Sequence, residues 1–146
     1  MKEPKLIKGD ITIDDRGEVS FVNDFDFDQV KRFYMIKNHK QNFIRAWHGH
    51  KNESKYFTVV KGTVLICGVE VNDWQKPSKD LKIHRFILSE KKPSVLYLPK
   101  GYANGFMLLT EDAKLMVFST SKLEDSLNDD IRFDSHYWNP WEIKER

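Results

Sequence analysis

The sequence predicts an all-β protein, folded as a β-sandwich or a jelly-roll barrel. Short segments rich in β-branched and aromatic residues recur along the chain, and turn-forming residues separate them. No heptad pattern or internal repeat is present, and the stretch 121–130 is the longest helix that the pattern allows. Many short strands of this kind are typical of sandwiches and barrels. The predicted strands are Ile11–Ile13, Val19–Val22, Arg32–Lys37, Tyr56–Cys67, Leu81–Leu88, Ser94–Leu98 and Ala113–Ser119.

The longest β-rich run covers residues 55–71. Gly62 divides it into two halves, as the turn of a hairpin or a bend in a long strand requires. Polar and apolar residues alternate imperfectly in this run, which favours strands buried on both faces of a closed barrel. Asp73–Asp80 and Ser89–Pro93 are predicted to be loops. The aromatic, proline-interrupted segment 136–146 is expected to pack over another part of the molecule.

The composition is that of an ordinary globular enzyme or binding protein. The 146 residues suffice for one hydrophobic core, so we predict a single domain over residues 1–146. No apolar run approaches the ~18–20 residues of a membrane span, and the net charge of +2, spread along the chain, does not indicate nucleic-acid binding. The charged N-terminus differs from a signal peptide, and Cys67 has no disulfide partner within the chain. A cytoplasmic protein is therefore expected.

The first cluster of chemically active residues lies in residues 44–56, IRAWHGHKNESKY. His48 and His50 are two residues apart, so on a strand both side chains point to the same face. Paired histidines on a strand are structural about as often as they are functional. Here Arg45, Glu53 and Lys55 accompany them just before a buried strand, which favours a site.

A metal site of the cupin type is the obvious alternative for this cluster. Metal cupins place two histidines and a glutamate on one strand and a third histidine in a motif resembling P-x-G-x-x-H. Here that second motif is Pro99–Asn104, and Asn104 occupies the place of the histidine. Because a neutral amide is a poor ligand for transition metals, we predict neither a metal nor any other cofactor. Taken alone, 97–109 is equally compatible with a loop in which Asn104 adopts a left-handed conformation.

Taken together, the two clusters resemble those of the dTDP-4-dehydrorhamnose 3,5-epimerases and the related sugar 3,4-ketoisomerases, which are cupin jelly-roll barrels. Five motifs follow in the family's order. They are Asp15-Arg16-Gly17, similar to D-x-R-G; Arg45-Ala46-Trp47-His48, similar to R-G-L-H; 55–62, similar to K-L-V-x-V-V-x-G; 99–106, similar to P-x-G-F-A-H-G-F; and the acidic, aromatic tail 131–141.

The resemblance implies a metal-free epimerase of a nucleotide-activated 4-keto-6-deoxy sugar, acting in deoxysugar and surface polysaccharide biosynthesis. His48 would remove the proton beside the ketone, with Asp134 as its orienting carboxylate. Lys55 would stabilise the enolate oxygen, and His50 is a further catalytic candidate. The residues expected to bind the nucleotide-diphosphate sugar are Arg16, Arg45, Asn104, Tyr102 and Trp138.

Two features depart from the family's epimerases. The family tyrosine that reprotonates the carbon aligns with Phe118, so another tyrosine (Tyr56, Tyr102 or Tyr137) would have to supply the proton. The sequence His48-Gly49-His50 also resembles the H-x-H of the 3,4-ketoisomerases. Epimerisation at C3, at C5 or at both therefore stands beside two alternatives, a 3,4-ketoisomerase and a non-catalytic cupin that binds a sugar or an anion.

The resemblance also implies a two-fold homodimer in which N-terminal strands extend the sheet of the partner. Exposed sheet edges need covering, and a symmetric partner covers them twice.

Overall fold

The computed structural model describes residues 2–146, so the predicted domain boundary at Met1 lies outside the described residues. Within this range the chain forms twelve β-strands and one short α-helix. The elements are β1 (Lys5–Lys8), β2 (Asp10–Asp14), β3 (Gly17–Phe21), β4 (Arg32–Ile36), β5 (Ile44–His50), β6 (Lys55–Lys61), β7 (Thr63–Glu70), β8 (His84–Ser89), β9 (Ser94–Leu98), β10 (Tyr102–Leu108), β11 (Lys114–Ser119), α1 (Leu123–Leu127) and β12 (Ile131–Arg132).

Ten of the strands form two five-stranded antiparallel sheets. The first sheet has the order β1-β9-β6-β11-β4, and the second has the order β12-β5-β10-β7-β8. The remaining strands, β2 and β3, pair only with each other as an N-terminal hairpin. The predicted all-β class is therefore confirmed. No helix in residues 2–146 combines the length and the apolar character needed to cross a lipid bilayer.

The main core lies between the two sheets. Phe57 and Leu115 from the first sheet meet Ile66 and Phe106 from the second, and all four are at most 2% exposed. Such residues occupy every second position of their strands, because alternate side chains of a strand point to opposite faces. At one end of the barrel, polar residues replace this apolar pattern.

A second core covers the outer face of the second sheet. The C-terminal residues Trp138 and Trp141 pack there against Trp47, Cys67 and other side chains that point away from the barrel. The aromatic part of the segment 136–146 therefore packs over another part of the molecule, as expected, whereas residues 142–146 are exposed. Strand β7 is consequently buried on both faces, which confirms the interpretation of its imperfect alternation.

The strand predictions fail mainly at boundaries and in the two motif regions. The predicted strand Tyr56–Cys67 is two strands, and Gly62 lies between them with a φ of 76°, a conformation that glycine adopts without strain. The helix is limited to Leu123–Leu127. Strands β1, β5, β10 and β12 are absent from the predicted set. Strand β10 has few polar residues because both of its faces are buried.

Candidate active site

A polar cavity of about 160 Å³ opens at one end of the barrel, between the two sheets and next to helix α1. Its lining combines cationic, anionic and imidazole side chains, whereas the rest of the barrel interior is apolar. The lining residues are Arg32, Tyr34, His48, His50, Glu53, Lys55, Leu123, Ser126, Leu127, Asp130 and Arg132.

Strand β5 brings the two histidines into this cavity. His48 and His50 both line it, while Trp47 before them points to the outer core and Gly49 between them packs under the ring of Trp74. The expectation that both imidazoles share one face of a strand agrees with this arrangement. Lys55, at the start of β6, joins them from the first sheet.

His48 is neutral at physiological pH. Burial, together with the nearby charges of Arg132 and Lys55, lowers the pKa of its imidazole to about 4, against an opposing effect of Asp130. A neutral imidazole is the form that accepts a proton. The side chain is therefore in the right protonation state for a general base.

Only one ring nitrogen of His50 has a hydrogen-bonding partner among residues 2–146. Its Nδ1 lies 2.5 Å from the backbone carbonyl oxygen of Asp129 and 3.4 Å from Oε1 of Glu53. Because a carbonyl oxygen can only accept, Nδ1 carries the proton and Nε2 presents a lone pair. Among residues 2–146, no group hydrogen-bonds to this buried Nε2. Burial and the charge of Lys55 lower the pKa of His50, while Glu53 raises it.

Lys55 is buried and contacts a tyrosine that the sequence reasoning did not single out. Its Nζ donates a hydrogen bond of 3.0 Å to the hydroxyl oxygen of Tyr34, on β4. Only 7% of Lys55 is exposed, so its charge acts within the cavity and not in bulk water. In β4, Arg32, Tyr34 and Ile36 are less exposed than Phe33 and Met35, so Tyr34 faces inward although its apolar neighbours do not.

Asp134, the predicted partner of His48, does not reach the cavity. It is exposed, and its Oδ1 accepts the backbone amide of His136 at 2.9 Å. The carboxylate that lines the cavity is Asp130, four residues earlier, which is ion-paired with Arg132 at 3.1 Å. The reason is that β12 places Arg132 opposite His48, after which the chain leaves for the outer face of the sheet.

The two arginines predicted to bind the diphosphate also lie outside the cavity of their own chain. The side chain of Arg16 is 87% exposed and pairs with Asp14 at the turn of the N-terminal hairpin. Arg45 is exposed, and its Nε donates to Oδ1 of Asn38 at 2.7 Å. The arginines that do line the cavity are Arg32, which belongs to none of the five motifs, and Arg132, which lies in the tail motif 131–141 but was not predicted as a binding residue.

The other three predicted binding residues are buried, and their polar groups are occupied elsewhere. Nδ2 of Asn104 donates to the carbonyl oxygen of His48 at 3.2 Å, so it holds strand β5 in place. The hydroxyl of Tyr102 donates to the carbonyl oxygen of Lys2 at 2.7 Å. Nε1 of Trp138 donates to the carbonyl oxygen of Ser78 at 2.9 Å in the outer core. None of the three lines the cavity.

Phe118 does not lie at the site either. Its ring packs against Phe25, Phe27 and Phe33 on the outer face of the first sheet, and the inward residues of β11 are Val117 and Ser119. Strand β11 thus supplies no acid from a tyrosine. Of the tyrosines in residues 2–146, Tyr34 is the one that lines the cavity.

Within residues 2–146, no group of three or more His, Cys, Asp and Glu side chains is arranged to hold a metal ion. Glu53 belongs instead to a buried hydrogen-bonded network. The hydroxyl of Ser119 donates to its Oε2, and the guanidinium of Arg32 lies 3.8 Å from the same oxygen.

Comparison with known proteins agrees with this fold. Among the solved structures that are similar to this chain are the following three, each with less than 25% identity. The sugar 3,4-ketoisomerase QdtA from Thermoanaerobacterium thermosaccharolyticum, a double mutant in complex with TDP, has 24% identity and a TM-score of 0.68 over 95% of this chain and 94% of its own. The epimerase RmlC of Mycobacterium tuberculosis has 19% identity and a TM-score of 0.67 over 82% and 64%. The 3'-monoepimerase ChmJ from Streptomyces bikiniensis, in complex with dTDP-quinovose, also has 19% identity and a TM-score of 0.67 over 82% and 64%.

These likenesses confirm the cupin jelly-roll fold. A search of curated protein sequences gives no match. A family model described as dTDP-4-dehydrorhamnose 3,5-epimerase matches residues 2–143, almost the whole chain. The chain therefore belongs to the dTDP-4-dehydrorhamnose 3,5-epimerase family of isomerases.

Proposed function

We propose that this protein epimerises a nucleotide-activated 4-keto-6-deoxy sugar at a carbon next to the ketone, C3, C5 or both, without a metal. The observation that carries the proposal is the meeting of two buried histidines and a buried lysine, His48, His50 and Lys55, in one cavity. Family membership supplies the isomerase class and the setting in deoxysugar biosynthesis. Surface polysaccharides are the expected destination of such sugars.

The first step is removal of a proton from the carbon beside the ketone. The C–H bond breaks, its proton passes to the neutral imidazole of His48, and its electron pair forms an enolate. The ammonium group of Lys55 then faces a developing negative charge in a site with little water, where such stabilisation is strongest. Return of a proton to the opposite face of the carbon completes the epimerisation.

Tyr34 is our candidate for the acid that returns the proton. Its hydroxyl oxygen accepts the hydrogen bond from Lys55, so its own O–H is free to donate to the substrate. This role replaces the one that the sequence reasoning sought in Tyr56, Tyr102 or Tyr137. Tyr56 packs against Phe25 on the outer sheet face, and the hydroxyl of Tyr137 donates to the carbonyl oxygen of Pro77.

The substrate is expected to enter with its diphosphate at the arginine side of the cavity. Arg132 is 66% exposed there, and a planar guanidinium matches two phosphate oxygens at once. The QdtA structure contains TDP and the ChmJ structure contains dTDP-quinovose, which supports a nucleotide-diphosphate sugar as ligand. We propose no nucleic-acid or membrane partner.

Solvent exchange tests the reaction. The protein is incubated in D₂O with a panel of 4-keto-6-deoxy sugar nucleotides, and NMR identifies the labelled carbon and the product. Label at C3 or C5 with inverted configuration supports the proposal. A product whose ketone has moved to C3 would identify a 3,4-ketoisomerase, and a protein that binds sugar nucleotides without any exchange would be a binding cupin.

The absence of a metal has its own test. Asn104 directs its amide nitrogen to the carbonyl oxygen of His48. It therefore adds no third ligand for a metal ion that the two histidines would bind. Purified protein should therefore keep its activity in the presence of chelators. Elemental analysis that finds about one Fe, Mn, Ni or Zn per chain would contradict this part of the proposal.

The assembly that we propose is a homodimer in the cytoplasm. The hairpin of β2 and β3 is paired with no other strand of residues 2–146, and it exposes 75% of Ile13 and 63% of Val19. An isolated two-stranded hairpin is marginally stable in water, so a partner chain is its expected cover. A monomer in light scattering at micromolar concentration would refute the dimer. The nucleotide-linked substrate and the free thiol of Cys67 favour the cytoplasm.

A further inference from the structure

The cavity has one apolar part, and helix α1 supplies it. Of the lining side chains in residues 2–146, only those of Leu123 and Leu127 carry no polar or charged group. These two residues, the leucine pair, are four positions apart and are therefore neighbours on one face of the helix. Leu123 is 58% exposed and Leu127 is 68% exposed, so neither belongs to the hydrophobic core. The mouth of a polar cavity thus carries an uncovered apolar surface.

The helix that carries the leucine pair is fixed to the cavity wall. Ser126 is buried between the two leucines, and its hydroxyl oxygen accepts a hydrogen bond of 3.0 Å from Nη2 of Arg32 on β4. The carboxylate of Asp129, just after the helix, accepts the backbone amides of residues 51–53 at 2.8 to 3.2 Å, in the turn between β5 and β6. These contacts hold the leucine pair in a set position beside the catalytic side chains.

The size of the cavity limits which part of the substrate it can hold. About 160 Å³ is well below the ~300–1,000 Å³ of pockets that enclose whole drug-sized ligands. The sugar of the proposed substrate therefore enters the cavity, and the nucleoside stays outside. In a hexose the diphosphate is attached to C1, across the ring from the ketone at C4. A ketone beside Lys55 consequently leaves the diphosphate at the open end, with Arg132.

The methyl group of a 6-deoxy sugar must then touch the cavity wall. C6 is bonded to C5, which is next to the ketone carbon, so the methyl group lies only two bonds from the carbon that Lys55 faces. It is the one apolar substituent of the ring, and the leucine pair is the apolar part of the wall. Contact between them removes apolar surface from water, which is favourable. A hydroxyl group on C6 would lose hydrogen bonds to water against the same side chains.

We propose that Leu123 and Leu127 bind the C6 methyl group and make the site selective for 6-deoxy sugars over the corresponding 6-hydroxy sugars. This inference rests on the proposed function, because it requires the sugar of a nucleotide-linked substrate to enter the cavity. It adds a determinant of specificity that takes no part in proton transfer. The leucine pair lies outside the five sequence motifs that indicate the reaction.

Two other occupants of the leucine pair lead to different expectations. A partner chain that covered the pair would hide it from the substrate, so substitution would alter the oligomeric state and leave the sugar selectivity unchanged. A nucleobase that packed on the pair would lose affinity after substitution whether or not the sugar carries a 6-hydroxyl group. Only contact with C6 changes the ratio of the affinities for the two sugars.

The test compares dTDP-quinovose with dTDP-glucose, which differ only in the hydroxyl group on C6. Neither sugar has a ketone, so isothermal titration calorimetry measures binding without turnover. We expect the wild type to bind dTDP-quinovose about 5- to 10-fold more tightly, at the lower end of what one small group gives in an apolar pocket, because the leucine pair is partly open to water. The corresponding UDP sugars are the second pair of probes.

Leu123→Asn and Leu127→Asn each replace an apolar side chain with an amide of similar size at an exposed position. Each should reduce the ratio of the two Kd values to about twofold or less, with dTDP-glucose bound as tightly as before. Ile143→Asn, at a residue that is 56% exposed and outside the cavity, is the control and should keep the wild-type ratio. Leu127→Ala keeps a strong helix former and should lower the ratio by a smaller factor, so it decides the question if the asparagine variants unfold.

Two results would overturn the proposal: equal affinity of the wild type for the two sugars, or a folded double variant, Leu123→Asn with Leu127→Asn, that keeps the wild-type ratio. A parallel loss of affinity for both sugars would also overturn it and assign the pair to the nucleobase. Failure of the proposed function gives different results. A wild type that prefers dTDP-quinovose but exchanges no ring proton in the D₂O panel would reject the reaction and support the leucine contact, and one that binds none of these sugar nucleotides would reject both.

Discussion

The two faces of strand β5 differ in how their polar atoms are used. On the outer face, Nε1 of Trp47 donates to the carbonyl oxygen of Trp138 at 3.0 Å, and the indoles of Trp138 and Trp141 each donate to another backbone carbonyl. On the inner face, Nε2 of His50 is buried without such a partner among residues 2–146, and so is Oε1 of Glu53 in the turn that follows the strand.

This difference separates a face built for stability from a face built for chemistry. A buried polar group without a hydrogen bond costs about 1–3 kcal/mol, so folding alone would not favour the inner arrangement. Groups of this kind are expected where a ligand supplies the missing hydrogen bonds. Substitutions on the inner face should therefore change turnover, and substitutions on the outer face should change stability.

The largest effect is expected on the inner face, from His48→Asn. Loss of a general base typically costs about 10²–10⁴-fold, so exchange of the ring proton with D₂O should fall by this factor while the fold and nucleotide binding persist. His39→Asn, the same change at an exposed position, is the control. If His48→Asn kept near-normal exchange, the assignment of the base would be wrong, and His50 would take its place.

The next effect belongs to the outer face. Trp138 is 1% exposed and packs edge-on against Trp47 with ring centroids 5.4 Å apart. Trp138→Ala should lower the free energy of unfolding by about 3–5 kcal/mol because a large buried ring is lost. Denaturant unfolding measures this change. KM of the fraction that stays folded should equal the wild-type value, and a selective rise in KM would restore the role in substrate binding that the sequence suggested.

The same comparison explains what the sequence could predict of the fold. Strand β6 and its hairpin with β7 are visible because β-branched residues and Gly62 form a local signal. Strand β10 was harder to identify, since both its faces are buried and its polar Asn104 bonds to the backbone of a neighbouring strand. The aromatic tail is recognisable as a packing segment, but its sequence does not say which sheet it covers.

For the site, the local spacing of His48 and His50 predicts that they share one face of a strand. Nothing local in the sequence predicts which residues of distant strands join them. Asp130 immediately precedes β12 and Asp134 follows it. Both are acidic, and only the register of β12 against β5 determines which of them reaches the cavity. Arg32 and Tyr34 enter from β4, at the far edge of the other sheet, which no local motif connects to the histidines. Alternation within each strand is a local property, whereas the meeting of strands is a property of the whole chain.

A smaller effect should distinguish the cavity arginine from the exposed one. Arg132→Ala is expected to raise KM for the sugar nucleotide about tenfold, about 1.4 kcal/mol, with kcat little changed, since the diphosphate is charged throughout the reaction. Arg45→Ala should leave KM within twofold of the wild-type value because Arg45 contacts Asn38 outside the cavity. The reverse order of the two KM values would return the diphosphate to Arg45 and to the family motif.

The smallest expected effect is that of pH on kcat/KM, which should change little between pH 7 and pH 5. Burial lowers the pKa of His48 to about 4, and Arg132 and Lys55 act in the same direction. A lowered pKa means that the imidazole takes up a proton only in more acidic solution, so the basic form persists as the pH falls. An ordinary histidine with a pKa of about 6.5 would be ~3% neutral at pH 5, whereas His48 should remain mostly neutral there.

The profile of kcat/KM reports the pKa of the free enzyme and is therefore the right measurement. Between pH 7 and pH 5 we expect kcat/KM to change less than twofold, where an unperturbed histidine base would lose about 25-fold. Circular dichroism over the same range shows whether the protein stays folded. Because the charge of Arg132 contributes to the low pKa, Arg132→Ala should move the acid limb of the profile to higher pH. A tenfold fall by pH 5 in folded wild-type enzyme would mean that the base is not the buried imidazole of His48.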